Sequence, residues 1–136
     1  DITYEALSTQ GCISFKEKFL NPKFEDLRNM QATTILHEIV HQWFGNITTM
    51  TWWDDLWIIE SMAVYMANRG LKNDGKQTMP KDERIIDMLN YKYVAVEDDL
   101  SNRTSHIVCN PACNDMRAAR TNTSMITYGK GAAYQH

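Results

Sequence analysis

The sequence predicts a mainly α fold, a short N-terminal β segment followed by about four helices, and three observations lead there. Apolar residues recur at three- and four-residue spacing in four stretches after residue 25. Gly-Cys-Ile-Ser-Phe-Lys at 11–16 instead alternates apolar and polar, the period of a half-buried strand. Turn signals separate the pieces, at Asn21-Pro22, at Gly45-Asn46, at Gly70 and in the polar run 72–80.

In chain order, the strand at 11–16 has a nearby pairing candidate in Ile2 to Tyr4. A helix follows from about Glu25 to Phe44, with Ile35, Leu36, Ile39, Val40, Trp43 and Phe44 on one face and Gly45-Asn46 as its stop. After a short connection, Asp54 and Asp55 are placed to cap a second helix and complement its dipole. That helix is expected to run to about Arg69 and stop at Gly70. A third covers 81–97, with Ile85, Ile86, Met88, Leu89, Tyr93 and Val96 apolar. Residues 98–124 read as irregular, with a turn at Asn110-Pro111, and a last helix begins near Met125.

Composition narrows the function classes. The chain has 136 residues, enough for one core of ordinary size, and a formal charge of -3, which argues against a dedicated nucleic-acid binder. With 43% hydrophobic and 23% charged residues it has the make-up of a globular protein. No apolar run approaches the roughly 20 residues needed to cross a bilayer. The first residues lack the basic start and apolar stretch of a signal peptide, and the chain reads as a piece of a longer one. Cys12, Cys109 and Cys113, an odd number, define no disulfide framework. N-x-[ST] sequons at Asn46, Asn102 and Asn122 lean towards a secreted or surface glycoprotein.

The chemistry is concentrated at His37-Glu38-Ile39-Val40-His41. At about 100° per residue, helix positions four apart point the same way, one turn apart. Two imidazoles so placed can both approach one zinc ion at about 2.0–2.1 Å. Glu38 lies one position round from His37, where a carboxylate can act as base. A catalytic zinc site needs a third protein ligand and an open position. Glu60 supplies one if the short connection at 45–53 folds the second helix back on the first. The alternative is a helix with two surface histidines and an unrelated glutamate.

A wider stretch carries a resemblance. His37-Glu38-Ile39-Val40-His41-Gln42-Trp43-Phe44-Gly45-Asn46, then Trp52-Trp53-Asp54-Asp55-Leu56-Trp57, Ser105-His106-Ile107 and Ile126-Thr127-Tyr128-Gly129-Lys130-Gly131-Ala132 resemble the gluzincin aminopeptidases of the aminopeptidase N family, in order and spacing. The resemblance implies part of an α+β thermolysin-like metallopeptidase catalytic domain, in which a sheet packs on helices. Residues 1–20 would be its β segment, 25–70 the zinc-binding helices and 81–136 the helical remainder with the catalytic tyrosine. It further implies one zinc ion held by His37, His41 and Glu60, Glu38 as general base, and Tyr128 as the group that stabilises the oxyanion. Peptides are the implied substrates and the remaining domains of a parent protein the implied partners. The implied setting is a membrane-anchored ectodomain or a secreted enzyme, with a cytoplasmic one open.

Two segments depart from the family's pattern. Where the family carries G-A-M-E-N, whose glutamate binds the substrate's terminal ammonium, this chain has Glu5-Ala6-Leu7-Ser8-Thr9, so Ser8 stands at the expected glutamate position. A serine hydroxyl offers no negative charge to an ammonium, and Glu5, three positions away, could replace it only through a rearranged backbone. Around the third ligand, N-E-G-F-A is here Ile59-Glu60-Ser61-Met62-Ala63, a change that could shift the helix or alter access to the metal. Two classes are therefore weighed: a zinc-dependent peptidase of aminopeptidase type, and a non-catalytic zinc-binding relative serving as a structural or binding module. Glu38 and Tyr128 favour the first, since a structural zinc needs neither.

The remaining residues have plainer readings. Cys109, Cys113 and His106 suit a local disulfide or free thiols better than a second metal site. Trp43, Trp52, Trp53 and Trp57 are expected to pack in the core, and Met62, Met66, Met79 and Met88 to fill gaps there. Lys130 is expected to be solvated, and Asn46, just after the zinc helix, to be too buried for glycosylation.

Overall fold

The computed structural model describes residues 5–20, 25–72, 81–101 and 114–134. Strand β1 (Ala6–Thr9) pairs antiparallel with β2 (Cys12–Phe15), Thr9 opposite Cys12 and Ala6 opposite Phe15. Helices α1 (Glu25–His41), α2 (Leu56–Lys72), α3 (Lys81–Leu100), α4 (Met116–Asn122) and α5 (Gly131–Tyr134) follow, the last entered through a π-turn at Ile126–Lys130. The described residues are thus mainly helical with one short hairpin, as expected. No described helix is long and apolar enough to cross a membrane.

Several boundaries differ from the sequence reading. The partner of the predicted strand is Ala6–Thr9; Ile2 to Tyr4 lie outside the described residues. Helix α1 ends at His41 rather than Phe44, because the chain tightens there. The amides of Gln42 and Trp43 reach back only three residues, to Ile39 and Val40. Asp54 and Asp55 lie inside a 3-10 turn, Trp53–Asp55, that leads into α2. Gly70 does not stop α2, which runs to Lys72. It lies beside Leu36, whose Cδ1 would be 3.4 Å from an added methyl, an ordinary contact. The stretch 98–124 is not wholly irregular: α3 extends to Leu100, and α4 begins at Asp115, whose carboxylate accepts from the Ala118 amide at 2.7 Å as an N-cap. Asn110-Pro111, His106, Cys109, Cys113 and Met79 lie outside the described residues, as does the Met88 side chain.

Helix α2 is the hub. Ile59, Ala63, Val64, Ala67 and Leu71 are buried along it, with Ala63 and Ala67 fully enclosed. Such small residues let α1, α3 and the π-turn approach α2 on different sides. Ala95 of α3, Ala119 of α4 and Ile126 of the π-turn complete this interior. The hairpin lies on α1. Phe15 and Phe19 stack, and Gln31 Nε2 donates to the Phe19 carbonyl at 3.1 Å, tying the start of the chain to α1.

The expectation of tryptophan core packing fails for two of the four. Trp43 is 58% and Trp52 56% exposed, because both lie in the loop that reverses the chain between α1 and α2. Met66 is also exposed, on the outer side of α2. Helix α3 turns Leu89, Tyr93, Val96 and Leu100 to solvent, an apolar stripe at helical spacing, while Ala95 is buried beside Gly129 of the π-turn.

Gly129 marks the tightest crossing. A Cβ there would overlap the Tyr91 carbonyl oxygen on α3. Gly129→Ala is therefore expected to destabilise the folded protein by about 1–3 kcal/mol, read as a lower denaturant midpoint of the full-length protein at unchanged slope.

Candidate metal centre

Residues from two helices and a turn meet at one end of α1. His37 and His41, one turn apart, direct their Nε2 atoms towards each other, 2.9 Å apart. The Glu60 carboxylate comes in from α2, its Oε2 at 3.2 Å from His37 Nε2 and 3.3 Å from His41 Nε2. Among the described residues this is the one cluster of histidine, cysteine and carboxylate groups able to hold a metal ion.

The donor set fits zinc. Tetrahedral bonds of about 2.0–2.2 Å imply donor atoms roughly 3.3 Å apart, close to the three separations found. Two imidazole nitrogens facing each other at 2.9 Å beside a carboxylate also call for a shared cation or proton between them. His41 Nδ1 lies 2.9 Å from the Phe44 carbonyl, to which Nδ1–H can donate; the neutral ring then turns its Nε2 lone pair to the cluster, whereas the protonated ring donates from Nε2 to Glu60.

Local sequence explains that carbonyl. After α1 the chain reverses through Gly45, whose φ of +124° suits glycine and scarcely any other residue. A Cβ at Gly45 would also press on Ile59 Cγ2 at 3.2 Å and His41 Nδ1 at 3.4 Å. The amides of Asn46, Ile47 and Thr48 then cap the carbonyls of His41 and Trp43. The reversal thus closes the helix end and supplies the acceptor that orients His41.

Electrostatics tie the group together. Burial alone would raise the Glu60 carboxyl, but hydrogen bonds from His37 and His41, and their charge, outweigh it and hold it at about 2. For His41, burial pulls downward, yet the hydrogen bond to Glu60 and the carboxylate charges leave it raised. Glu38 is buried; desolvation raises its carboxyl against the opposing pull of His37 and His41.

Glu38, Tyr128 and Ser8 line the same cavity as the cluster, which has a volume of about 760 Å³. The Tyr128 ring lies 6.1 Å from that of His37, centre to centre. Ser8 is on β1, where Gln42 Nε2 donates to its Oγ at 2.6 Å and Asn46 Nδ2 at 3.4 Å. Glu5 lines no part of the cavity and pairs with Lys16 at 3.6 Å. Ser61 does not push α2 away: it is fully buried against Gly131, and Glu60 still reaches both histidines. Asn46, expected to be buried, is half-buried on the cavity wall.

The sequence reading missed Gln42. Besides Ser8, its side chain holds the Thr9 carbonyl at 3.1 Å and the Gly11 amide at 2.8 Å, clamping the hairpin turn onto the end of α1. Its place directly after His41 was the available signal. Lys130, expected to be solvated, pairs with Asp99 at 2.6 Å.

Comparison with known proteins agrees with this geometry. The profile of the peptidase family M1 domain matches residues 1–136. This chain belongs to peptidase family M1. The M1 chain is 37% identical to glutamyl aminopeptidase of Bos taurus over 133 residues, which cover 94% of this chain and 13% of that protein. It is 33% identical over 131 residues to probable aminopeptidase 1 of Saccharolobus solfataricus, covering 94% of this chain and 16% of that one. Against aminopeptidase N of Rattus norvegicus the identity is 31% over 140 residues, or 98% of this chain and 14% of that protein. The M1 chain thus spans less than a fifth of these relatives.

Replacing either histidine by alanine in the full-length M1 protein is expected to remove bound zinc after dialysis. Gly45→Ala should weaken zinc retention about tenfold or more, the usual cost of disturbing a partner that orients a ligand. Elemental analysis after graded chelator challenge measures both.

Proposed function

We propose that the protein containing this chain is a zinc-dependent peptide hydrolase of the aminopeptidase type. The observation that carries this reading is the convergence of His37 Nε2, His41 Nε2 and Glu60 Oε2 on one point, in a cavity that Glu38 and Tyr128 also line. Family membership and relatives named as aminopeptidases support the same reaction.

In this reading His37, His41 and Glu60 hold a single zinc ion. When bound, zinc polarises the scissile carbonyl and makes water more acidic. Glu38 takes the proton of the attacking water and delivers it to the departing amine nitrogen as the C–N bond breaks. The Tyr128 hydroxyl donates to the carbonyl oxygen as that oxygen gains charge, a contact worth about 100-fold or more in rate. A purely structural metal would need neither group, which favours an enzyme over a binding module.

Recognition of the substrate's amino terminus is the unusual part. Among the described residues the cavity's carboxylates are Glu38 and Glu60, assigned here to the base and the metal. At the hairpin wall, Ser8 meets the amides of Gln42 and Asn46, a neutral set of hydrogen-bonding groups. Selection for a charged ammonium should therefore be weak.

The test uses the full-length zinc-loaded protein and one peptide with a free or an N-acetylated amino terminus. Both are expected to be cleaved, with a preference for the free amine below about tenfold, since no ionic pair at the hairpin wall adds to it. Glu38→Gln should slow both by about 100-fold or more. A strong preference for the free amine would mean that another group supplies the charge. No cleavage above the Glu38→Gln background would refute the catalytic reading.

A further inference from the structure

Tyr128 stands at the middle of a π-turn, a widened helical turn that needs support from its surroundings. Support comes from both flanks and from one place. Before it, the Met125 amide donates to Asp98 Oδ2 at 3.0 Å. After it, Lys130 Nζ donates to Asp99 Oδ2 at 2.6 Å. Both carboxylates belong to the last turn of α3. Between them, Gly129 lies against the Tyr91 carbonyl of the same helix, so the turn is seated along α3.

The acids are badly placed for α3 itself. Glu97, Asp98 and Asp99 are consecutive at a helix C-terminus that carries no basic residue in its final turn, where the helix dipole disfavours negative charge. A local rule broken in this way points to a gain made elsewhere. For Asp98 and Asp99 that gain is visible as the two contacts to the π-turn.

We propose that Asp98, Asp99 and Lys130 form a latch that holds Tyr128 in place over the His37–His41–Glu60 cluster, and that they are positioning residues of the reaction. The inference rests on the reading of Tyr128 as the oxyanion donor. None of the three residues lines the cavity. It acts by fixing the backbone on both sides of Tyr128, whose hydroxyl must meet the carbonyl oxygen within a narrow range of positions.

The experiment is a double-mutant cycle in the full-length zinc-loaded protein, with kcat and KM measured separately. Lys130→Met should lower kcat about tenfold, less than the roughly 100-fold expected of a full 1 Å misplacement. KM should change by less than about twofold and zinc content not at all, because a displaced Tyr128 affects the transition state more than substrate binding. Lys130→Arg, which keeps the ion pair, should restore most of the rate. In a Tyr128→Phe background Lys130→Met should cause no further loss, since the latch works through that hydroxyl alone. Asp99→Asn reads the same contact from the other side if Lys130→Met fails to fold.

An unchanged kcat in both Lys130→Met and Asp99→Asn would overturn the latch. So would an equal loss with and without the Tyr128 hydroxyl, which would mark a general structural effect. If Tyr128→Phe is fully active while Glu38→Gln is not, the oxyanion role fails first and the latch falls with it.

Discussion

The contact on which the rest of the structure depends is the reach of Glu60 from α2 to both imidazoles of α1. Three groups that would each prefer water are brought within about 3.3 Å of one another at the meeting of two helices. Such a cluster is costly to bury unless its charges are paired or shared with a metal. Its formation demands that α2 lie close along α1 and in one register. The helix pair and the cluster are therefore two aspects of the same packing.

That closeness comes from small residues. Ala63 and Ala67 on α2, and Gly131 against Ser61, remove the bulk that would separate the elements. The same device carries the π-turn onto α3 at Gly129. A larger side chain at these crossings would act at a distance, moving Glu60 or Tyr128 relative to the histidines without touching them. Stability and site geometry are coupled through backbone separation rather than through polar contacts alone.

Around this rigid centre the cavity walls differ in character. The side formed by α1 and α2 is ionic, carrying the His37–His41–Glu60 cluster, whereas the hairpin side is neutral, with Ser8 and Asn46 on the wall and Gln42 bonded to Ser8. Gln42 joins the two sides, since it follows His41 directly and grips the hairpin turn at Thr9 and Gly11. The reversal at Gly45 adds a further link by returning the Phe44 carbonyl to His41. A short piece of chain from His41 to Asn46 thereby orients the imidazole, ends the helix and anchors the opposite wall.

Much of this is legible in the sequence alone. The four-residue spacing of His37 and His41 places two imidazoles on one helix face by local geometry, and the spacing of apolar residues marks α1, α2 and α3 for the same reason. Helix ends were less legible, because α1 closes and α2 passes through Gly70 in response to neighbouring helices. The short α4, held by Asp115, was too brief to show a period. Hydrophobicity assigns the Trp43 and Trp52 rings to the core, but they lie in the loop reversal and are more than half exposed. What the sequence by itself determined was the chemistry available and the helix that carries its first half. Only the tertiary structure decided that Glu60 meets both histidines, that Tyr128 shares their cavity and that Lys130 is bound to Asp99. Those pairs join residues on separate elements, and no local periodicity encodes the distance between two helices.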